Sequence, residues 1–571
     1  MRLRFCSTLL VSMLAFEARA ELNVEGVDDE LARNVRAYAS IATEPCDAAA
    51  PTVRRRYRGL AKEAREALEP FGYYEPRIET ALELGEDCWS ASVTIEPGEQ
   101  VLLRNVDVRI DGEAGDDPEF VQLARSESLA PELPLMHAAY EDLKESLQIR
   151  AADQGYFDAE FSARNLDIYP DAGVADVTLH LDSGPRYVLG EIRQEQDFLD
   201  ERLVAGFVDL EPGAPFDREA LAQTQRDLSE SGYFGRIDVS ADVDNRSGGT
   251  VPVRIDAEPG YRIEYTAGLG ASTDTGTRFR VGFRNNRLNR RGHRFKTGLE
   301  VSPTIQGLGA EYRIPLADPR REWLSVTGIL YEESTDTFES DAQGLGVRWT
   351  TALGESWVRT LSLDVGNESF TIGDETSTTQ LVIPGIGFDH KRADRSVFPR
   401  SGRRASIEFT GTDDSLGSTT SYLQTVARLR WISSFGDRNR LLARADVGYT
   451  EVADFAELPP SVRFYAGGDQ SIRGYDLDTL GPTDVDGNVV GGTSLLVASI
   501  EYERRLRGNF YGAVFVDAGN AFDDTDFDAE VGAGLGIIWR SPLGPIRLYA
   551  GYPVSADDGS VRFHLQLGAD L

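Results

Sequence analysis

Residues 561–571 read VRFHLQLGADL, and apolar and polar side chains alternate over all eleven positions. Because successive side chains of a β-strand point to opposite faces, this stretch predicts a strand with one apolar and one polar face. The same alternation begins at Tyr261 and recurs at Leu441–Tyr449. Strands of this kind, about ten residues long, are typical of a transmembrane β-barrel, in which one face meets lipid and the other a wet lumen. A soluble β-sandwich alternates in the same way, so the rest of the chain has to separate these two folds.

The first twenty residues have the features of an export signal. Arg2 and Arg4 precede an apolar stretch at Thr8–Phe16, and Ala18-Arg19-Ala20 forms a small-residue cleavage site. We therefore expect residues 1–20 to be a signal peptide and the mature chain to begin at Glu21. No later segment approaches the ~20 apolar residues of a membrane-spanning helix. A membrane-spanning part of an exported chain of this kind would have to be a closed barrel.

The alternating region covers residues 261–571 and predicts an all-β antiparallel transmembrane barrel. Strands of about ten residues joined by turns would give roughly 14 to 18 strands there, and we expect 16. The acidic stretches Asp336–Gln343 and Asp523–Asp528 are expected to be solvent-facing loops.

Residues 21–260 contain three similar modules. A Gly-aromatic-aromatic element follows a helical pattern three times, at Gly72, Gly155 and Gly232. Glycine suits the position after a helix because it accepts a positive φ. An alternating strand and a turn dipeptide then close each module, at Pro97-Gly98, Gly184-Pro185 and Pro259-Gly260. These marks predict α+β modules at residues 21–98, 99–184 and 185–260.

Helical periodicity supports this division into modules. Apolar residues recur at helical spacing before each of the first two glycines, and a third helix is expected to start after the N-cap residue Asp217. The two apolar stripes consist of Val53, Tyr57, Leu60, Ala64, Ala67 and Leu68, and of Tyr140, Leu143, Leu147 and Ala151.

The chain carries no pattern of catalytic or metal-binding chemistry. Its five histidines are scattered without metal-ligand spacing, and neither a nucleophile elbow nor a phosphate-binding loop is present. Residues 484–488 lack the closing glutamate of a calcium loop, so an acidic surface loop is favoured. A net charge of −35 argues against nucleic acid as a partner. We expect no enzyme activity, no cofactor and no metal.

Two short motifs in the barrel region resemble a loop motif and a strand motif of the BamA/TamA outer-membrane assembly superfamily. Arg473-Gly474-Tyr475 lies in a predicted loop, and Phe515-Val516-Asp517-Ala518-Gly519 lies in a predicted strand. Phe515, Asp517 and Gly519 share one strand face, so Asp517 is expected to point into a wet lumen. The resemblance implies that the two motifs pair, and the chemistry supports it, because the Arg473 guanidinium could form a charge-assisted bond with that carboxylate and hold the loop inside the barrel. Alone, Arg473 would be interpreted as an ordinary solvated loop residue.

Three small modules before a C-terminal barrel resemble the POTRA domains and barrel of the BamA/TamA outer-membrane assembly superfamily, and their number and length resemble its TamA type. Within that resemblance, Arg473, Gly474 and Tyr475 match the motif of the loop that folds back into the lumen. Phe515, Asp517 and Gly519 match the strand motif that receives the arginine. The resemblance implies a barrel in the bacterial outer membrane, with the N-terminal modules in the periplasm.

The resemblance also implies a function and partners. It predicts an assembly or insertion factor that acts on nascent outer-membrane proteins, of the autotransporter type or other β-barrels, with a TamB-like partner anchored in the inner membrane. Client strands would pair at a lateral seam between the first and last barrel strands. The residues expected to line this seam are Tyr261, Tyr265, Gly268, Gly270, Phe563, Leu565 and Leu571.

Two other functions fit parts of the sequence. A polypeptide secretion channel of the two-partner type would also combine such modules with a barrel, but typically has two modules. A passive porin would lack the periplasmic modules. In either case the lipid bilayer remains a partner of the barrel.

One disulfide is also expected. Cys6 lies in the predicted signal peptide, which leaves Cys46 and Cys88 in a compartment that permits disulfides. Two free thiols are the alternative, because sequence alone does not give the distance between the residues.

Overall fold

The computed structural model describes residues 21–85, 88–395, 397–523, 526–542, 544–556 and 559–567. The predicted signal peptide and the seam residue Leu571 lie outside these ranges. The chain divides into two compact units, and the larger one consists of residues 194–209, 223–239 and 255–571. In the described part of the chain, no helix is long and apolar enough to cross a membrane.

The N-terminal part forms three small α+β modules, each with a three-stranded sheet. The first contains β1 (Glu21–Glu25), α1 (Asp29–Tyr38), α2 (Ala50–Leu68), β2 (Arg77–Leu84) and β3 (Trp89–Glu96). The second contains β4 (Leu102–Asp111), α3 (Pro118–Ala124), α4 (His137–Asp153), β5 (Glu160–Tyr169) and β6 (Val174–Asp182). The third contains β7 (Val188–Glu195), α5 (Glu201–Ala205), α6 (Arg218–Glu230), β8 (Phe234–Ala241) and β9 (Thr250–Pro259).

The three sheets share one topology. Their strand orders are β1-β3-β2, β4-β6-β5 and β7-β9-β8, so the last strand of each module lies in the middle. In the first two modules this middle strand runs parallel to the first strand and antiparallel to the second. The repeated sequence marks therefore correspond to a repeated fold.

The predicted helical stripes form the buried faces of α2 and α4. Val53, Leu60 and Leu68 of α2 are fully buried, and Tyr140 and Leu147 of α4 are buried in the second module. At the start of α6, the Asp217 carboxylate accepts a hydrogen bond of 2.9 Å from the backbone N–H of Glu219, as expected of an N-cap residue. The three repeated glycines, Gly72, Gly155 and Gly232, all have positive φ, at 83°, 86° and 72°.

Cys46 and Cys88 are joined by a disulfide inside the first module. Cys46 lies between α1 and α2, and Cys88 immediately precedes β3. Beside this link, the Trp89 indole N–H donates to the carbonyl of Pro45 at 3.1 Å. The disulfide therefore ties the helical layer of the module to its central strand.

The C-terminal part is a 16-stranded antiparallel sheet, which confirms the predicted fold class. Its strands are β10 (Ile263–Ser272), β11 (Gly276–Asn285), β12 (Arg294–Val301), β13 (Ile305–Pro315), β14 (Glu322–Ser334), β15 (Phe338–Leu353), β16 (Trp357–Ile372), β17 (Glu375–Ala393), β18 (Gly402–Thr412), β19 (Tyr422–Phe435), β20 (Asn439–Val452), β21 (Ser494–Arg507), β22 (Phe510–Phe522), β23 (Glu530–Ser541), β24 (Gly544–Pro553) and β25 (Arg562–Leu567).

Several strands are longer than the sequence pattern predicts. Strand β17 has 19 residues and β15 and β16 have 16 each, so they extend beyond the ~10 residues that a tilted strand needs to cross lipid. The prediction of a loop at Asp336–Gln343 is wrong, because β15 begins at Phe338. Charged residues there alternate with smaller ones and belong to the strand.

Consecutive strands pair from β10 to β25, which places the first and last strands at the two ends of the order. Within the described residues, no ladder of hydrogen bonds joins β10 to β25, although the two strands are in contact. The first seven residues of β10 are exposed on both faces, unlike those of inner strands such as β22. The sheet is therefore a nearly closed barrel with one seam.

Candidate functional site

The longest connection in the barrel is the segment of residues 453–493 between β20 and β21, here called the lumen loop. Arg463 organises it from within, because its guanidinium donates to the backbone carbonyls of Leu458, Phe455 and Val490 at 2.6–3.0 Å. The predicted Arg473-Gly474-Tyr475 motif lies in this loop, and the predicted Phe515–Gly519 motif lies in β22.

The structure brings Arg473 and Asp517 together. The guanidinium donates two hydrogen bonds to the carboxylate, from Nε to Oδ2 at 2.7 Å and from Nη2 to Oδ1 at 2.9 Å. The backbone N–H of Arg473 donates to the same Oδ2 at 3.0 Å. This bidentate pair, reinforced by the backbone, fixes both the charge and the direction of the loop.

Strand β22 presents its polar motif to the interior. Asp517 is fully buried and Phe515 is 3% exposed, whereas Val514 and Val516 on the other face are about half exposed. The expectation that Asp517 faces a wet lumen is wrong, because the lumen loop covers the carboxylate and excludes solvent from it. Breaking the pair would therefore leave a buried charge without its main partner.

Additional groups surround the Arg473 guanidinium. Nη1 donates to Glu501 on β21 at 2.5 Å, and the hydroxyl of Tyr549 on β24 donates to that same carboxylate at 2.7 Å. The cation lies over two rings, 3.5 Å from the centroid of Phe515 and 4.6 Å from that of Tyr549. Cation–π attraction is strongest where water is excluded, as it is here. The arginine thus links β21, β22 and β24 through one planar group.

A second arginine stabilises the backbone of the loop. Arg444 on β20 donates to the carbonyls of Gln470 and Ser471, and its guanidinium lies 4.0 Å from Asp517. Arg444 and Arg473 together balance the buried carboxylates of Asp517 and Glu501, which makes the cluster close to neutral.

The rest of the Arg-Gly-Tyr motif packs directly on the barrel wall. Gly474 has φ +108°, and a Cβ placed there would lie 2.9 Å from the backbone carbon of Tyr552. Its N–H donates to Nε2 of His564 on β25 at 2.9 Å. The Tyr475 hydroxyl donates to Glu530 on β23 at 2.6 Å. Glycine is thus required by both backbone conformation and contact distance.

Gly519 completes the wall motif. A Cβ on Gly519 would lie 2.1 Å from the carbonyl oxygen of Leu496 on β21, so the close pairing of β21 and β22 leaves no space for a side chain. Its role is therefore local packing of the wall two residues beyond Asp517.

The predicted seam residues occupy both sides of the seam. Tyr261 lies two residues before the start of β10 and is 92% exposed, and Tyr265 and Phe563 are 75% and 63% exposed. Gly268 and Gly270 lie in β10, and Leu565 is half-buried in β25. The described part of β25 spans Arg562–Leu567, which is shorter than the predicted strand.

Comparison with known proteins supports this architecture. The model of the Omp85 superfamily domain matches residues 260–570, which is more than half of the chain. The chain belongs to the Omp85 superfamily. A model of the first POTRA domain of TamA matches residues 21–97.

Relatives of this Omp85 protein are distant. It is 22% identical to the outer-membrane protein assembly factor BamA of Neisseria meningitidis serogroup B, over 87% of this chain and 70% of the relative. It is also 22% identical to BamA of Nitratidesulfovibrio vulgaris, over 73% of this chain and 55% of the relative. The crystal structure of Haemophilus ducreyi BamA lacking POTRA domains 1–3 has a TM-score of 0.70 at 16% identity, covering 82% of this chain and 99% of that chain.

These findings give the cellular location of the Omp85 protein. It is an outer-membrane β-barrel whose POTRA modules lie in the periplasm. It is not an enzyme, because Omp85 assembly factors are non-enzymatic. Because neighbouring strands of the barrel are antiparallel, β10 and β20 run in the same direction, and the turn after β10 and the lumen loop after β20 lie at the same rim.

Sequence reasoning missed several members of the site in this Omp85 protein. Glu501 and Tyr549 lie on inward-facing positions of their strands, and His564 is 2% exposed on β25. Alternation along each strand could have assigned them to the inner face. It could not have shown that one loop arginine would bring two of them together, because that depends on which strands are neighbours.

Proposed function

We propose that this chain is an outer-membrane protein assembly factor that inserts β-barrel clients at the seam between β10 and β25. The observation that carries this proposal is the unpaired edge of β10, which pairs only with β11 among the described strands. A free edge presents backbone N–H and C=O groups in the spacing that another strand requires. Natural proteins usually cover such edges, so an open one that contacts its neighbour without a ladder favours a role in strand pairing.

In this mechanism a client strand adds to β10 by β-augmentation. Backbone hydrogen bonds supply the affinity independently of client sequence, which suits a factor with several clients. Gly268 and Gly270 lower the side-chain packing of β10 near the seam. Exposed Tyr265 and Leu269 leave apolar surface beside the edge that a client could cover.

The lumen loop supports the opposite side of the seam. Through Arg473 it joins β21, β22 and β24, and through Gly474 it contacts His564 of β25. A rigid wall on the β25 side would let β10 separate while the remaining barrel keeps its shape. The proposed role of the Arg473–Asp517 pair is therefore to hold the wall during client insertion.

The finer proposal is that the protein is of the TamA type. Three POTRA-like modules, the first of which matches the TamA domain model, support it. Autotransporter-type proteins would be the clients, and a TamB-like protein anchored in the inner membrane would bind the periplasmic modules. Affinity capture of inner-membrane proteins by the full chain, with and without residues 21–97, tests this partner. Capture that does not depend on those residues would contradict it.

A site-specific cross-linking experiment tests the assembly function. The protein is reconstituted in liposomes with a photo-cross-linker at Leu269 on β10 or, as a matched control, at Leu345 on β15; these residues are 86% and 69% exposed. An unfolded autotransporter barrel is added, and its folding is followed by heat-modifiable mobility on gels. We expect cross-links to the client from Leu269 and none from Leu345.

The same experiment separates assembly from secretion. A client that becomes protease-protected inside the liposomes, without cross-links to Leu269, would instead support a secretion channel of the two-partner type. A client that folds equally well in liposomes lacking the protein would contradict both functions.

A further inference from the structure

Asp469 of the lumen loop contacts both strands of the seam. Its carboxylate accepts hydrogen bonds from the hydroxyl of Ser272, at the end of β10, at 2.6 Å and from that of Thr273, in the following turn, at 3.1 Å. The same carboxylate bonds Nδ1 of His564 on β25 at 2.5 Å, and its backbone carbonyl accepts from Gln566 at 2.6 Å. Asp469 therefore bridges β10 and β25, which no ladder of backbone hydrogen bonds joins within the described residues.

The protonation of this bridge follows from its geometry. The Gly474 N–H donates to Nε2 of His564, so Nε2 is the acceptor and the ring proton lies on Nδ1, facing Asp469. Asp469 and His564 are 3% and 2% exposed. The nearby Asp274 carboxylate accepts the backbone N–H of Asp469 at 2.6 Å. With both ring nitrogens engaged, the cluster forms a complete hydrogen-bond network.

The two sides of the bridge differ in strength. Towards β25 the loop makes further contacts that do not use the Asp469 carboxylate: Gly474 to His564, and an ion pair between Asp476 and Arg562. Among the described residues, every hydrogen bond between the lumen loop and β10 or the turn after it involves Asp469. The loop is thus attached to the β25 side at several points and to the β10 side at one.

We propose that Asp469 is a positioning residue that clasps β10 to the β25 side at the rim that carries the lumen loop, and that the seam opens when Ser272 and Thr273 leave its carboxylate. This proposal rests on the proposed function, in which β10 has to separate from β25 to receive a client strand. A few hydrogen bonds to one residue break more readily than a full ladder of backbone hydrogen bonds. The clasp therefore holds the two strands together at rest and still allows them to separate.

Distances between two spin labels, measured by double electron–electron resonance, test the clasp in the absence of a client. Spin labels are attached to cysteines at Leu269 and Phe563, the exposed seam residues of β10 and β25. The native Cys46 and Cys88 do not react with the label, because they are joined in a disulfide. We expect one short distance in the parent protein. Ser272→Ala should raise the long-distance population roughly fivefold, as expected for loss of about one hydrogen bond. Asp469→Asn should raise it further.

Two matched variants make the result specific. Ser272→Thr keeps the hydroxyl and should leave the distances unchanged. Asp476→Asn removes the ion pair to Arg562 within the same loop and strand pair but does not reach β10, so it should also leave them unchanged. Heat-modifiable mobility verifies that each barrel is folded, and Ser272→Ala alone suffices if Asp469→Asn fails to fold.

Folded Ser272→Ala with the parent distances would overturn the clasp. So would an equal opening in Asp476→Asn, which would indicate general loosening of the loop. Because no client is present, these results do not depend on assembly activity. An intact clasp together with absent cross-links from Leu269 to a folding client would contradict the proposed function alone.

Discussion

Arg473 is the residue on which the lumen site depends most. It is 4% exposed, and Asp517, its bidentate partner, is fully buried. Removing one member of a buried ion pair leaves the other charge in a poorly solvated site, whereas removing both relieves that cost. The effects of single and double substitutions should therefore differ from a simple sum.

We predict that Arg473→Ala lowers the free energy of unfolding of the barrel by about 3–5 kcal/mol. Arg444, 4.0 Å from Asp517, is expected to keep the loss towards the lower end. Asp517→Ala should have a similar effect, and the double variant should be no less stable than either single one. Urea titration in liposomes, followed by heat-modifiable mobility, measures this.

A surface ion pair provides the control for that series. Arg404→Ala removes a 3.1 Å contact with Asp389 between two half-exposed side chains and should change stability by less than about 1 kcal/mol. Additive losses at Arg473 and Asp517 would show that the two residues do not act as a pair.

Asp478 in the lumen loop makes loop packing dependent on pH. Burial, together with the carboxylates of Glu333 and Asp274, raises the pKa of Asp478 to about 7. Burial and Asp469 similarly raise the pKa of Asp274, in the turn after β10, to about 6. A carboxyl group whose pKa is raised on folding favours the folded state below its ordinary pKa, and this contribution is lost as the pH rises through the folded pKa.

We predict that the stability advantage of Asp478→Asn over the parent protein grows by about 2–3 kcal/mol between pH 5 and pH 8. Asparagine resembles the protonated acid and tolerates the φ of +55° at this position. Urea midpoints at both pH values provide the measurement. An advantage that stays the same at both pH values would mean that Asp478 is solvated in the packed loop.

Single residues of the site differed in how well the sequence predicted them. The Arg473 and Asp517 motifs were recognised because they resemble two motifs of the BamA/TamA superfamily, and the chemistry of their side chains supports the pairing. Asp469 and His564 carry no such pattern, since their contact joins positions 95 residues apart. Burial of Asp517 was also missed, because alternation assigns a residue to the lumen face without showing what covers it.

At the scale of the elements, the Cys46–Cys88 link stabilises the first module. It closes a segment with a sequence separation of 42 residues. In the loop-entropy model such a link contributes about 3–4 kcal/mol. We predict that the unfolded, unreduced mature protein has no reactive thiol, and that Cys46→Ala/Cys88→Ala lowers the urea midpoint of the first module only. Two reactive thiols per chain in the titration would contradict the bridge.

Elements with strong periodicity were predicted well and short ones were not. The stripes of α2 and α4 and the alternation of barrel strands identified those elements. Helix α1 was missed, although the Asp28 carboxylate caps it by accepting from the N–H groups of Glu30 and Leu31. Strand lengths were underestimated, because strands that extend past the membrane lose the apolar outer face by which a pattern is recognised.

At the scale of the whole molecule, one gap in the ladder distinguishes this barrel from a closed one. Fifteen consecutive pairings connect β10 to β25, and contact without a described ladder joins the ends. The sequence predicted the strands, and its resemblance to the BamA/TamA superfamily implied a seam between the first and last of them. It could not show where the ladder is interrupted, because closure depends on the register of all strands together.

In the proposed mechanism, client strands pair with the free edge of β10. Disulfide scanning tests this pairing, with single cysteines at residues 263–270 of β10 and at successive positions in the terminal strand of a client barrel. Cysteines in β15 around Leu345 serve as the control. We predict cross-links on β10 in one register, so that moving the client cysteine along its strand moves the β10 partner by the same number of residues. Cross-links without a register, or equal cross-links on β15 while the client folds, would contradict strand pairing at β10.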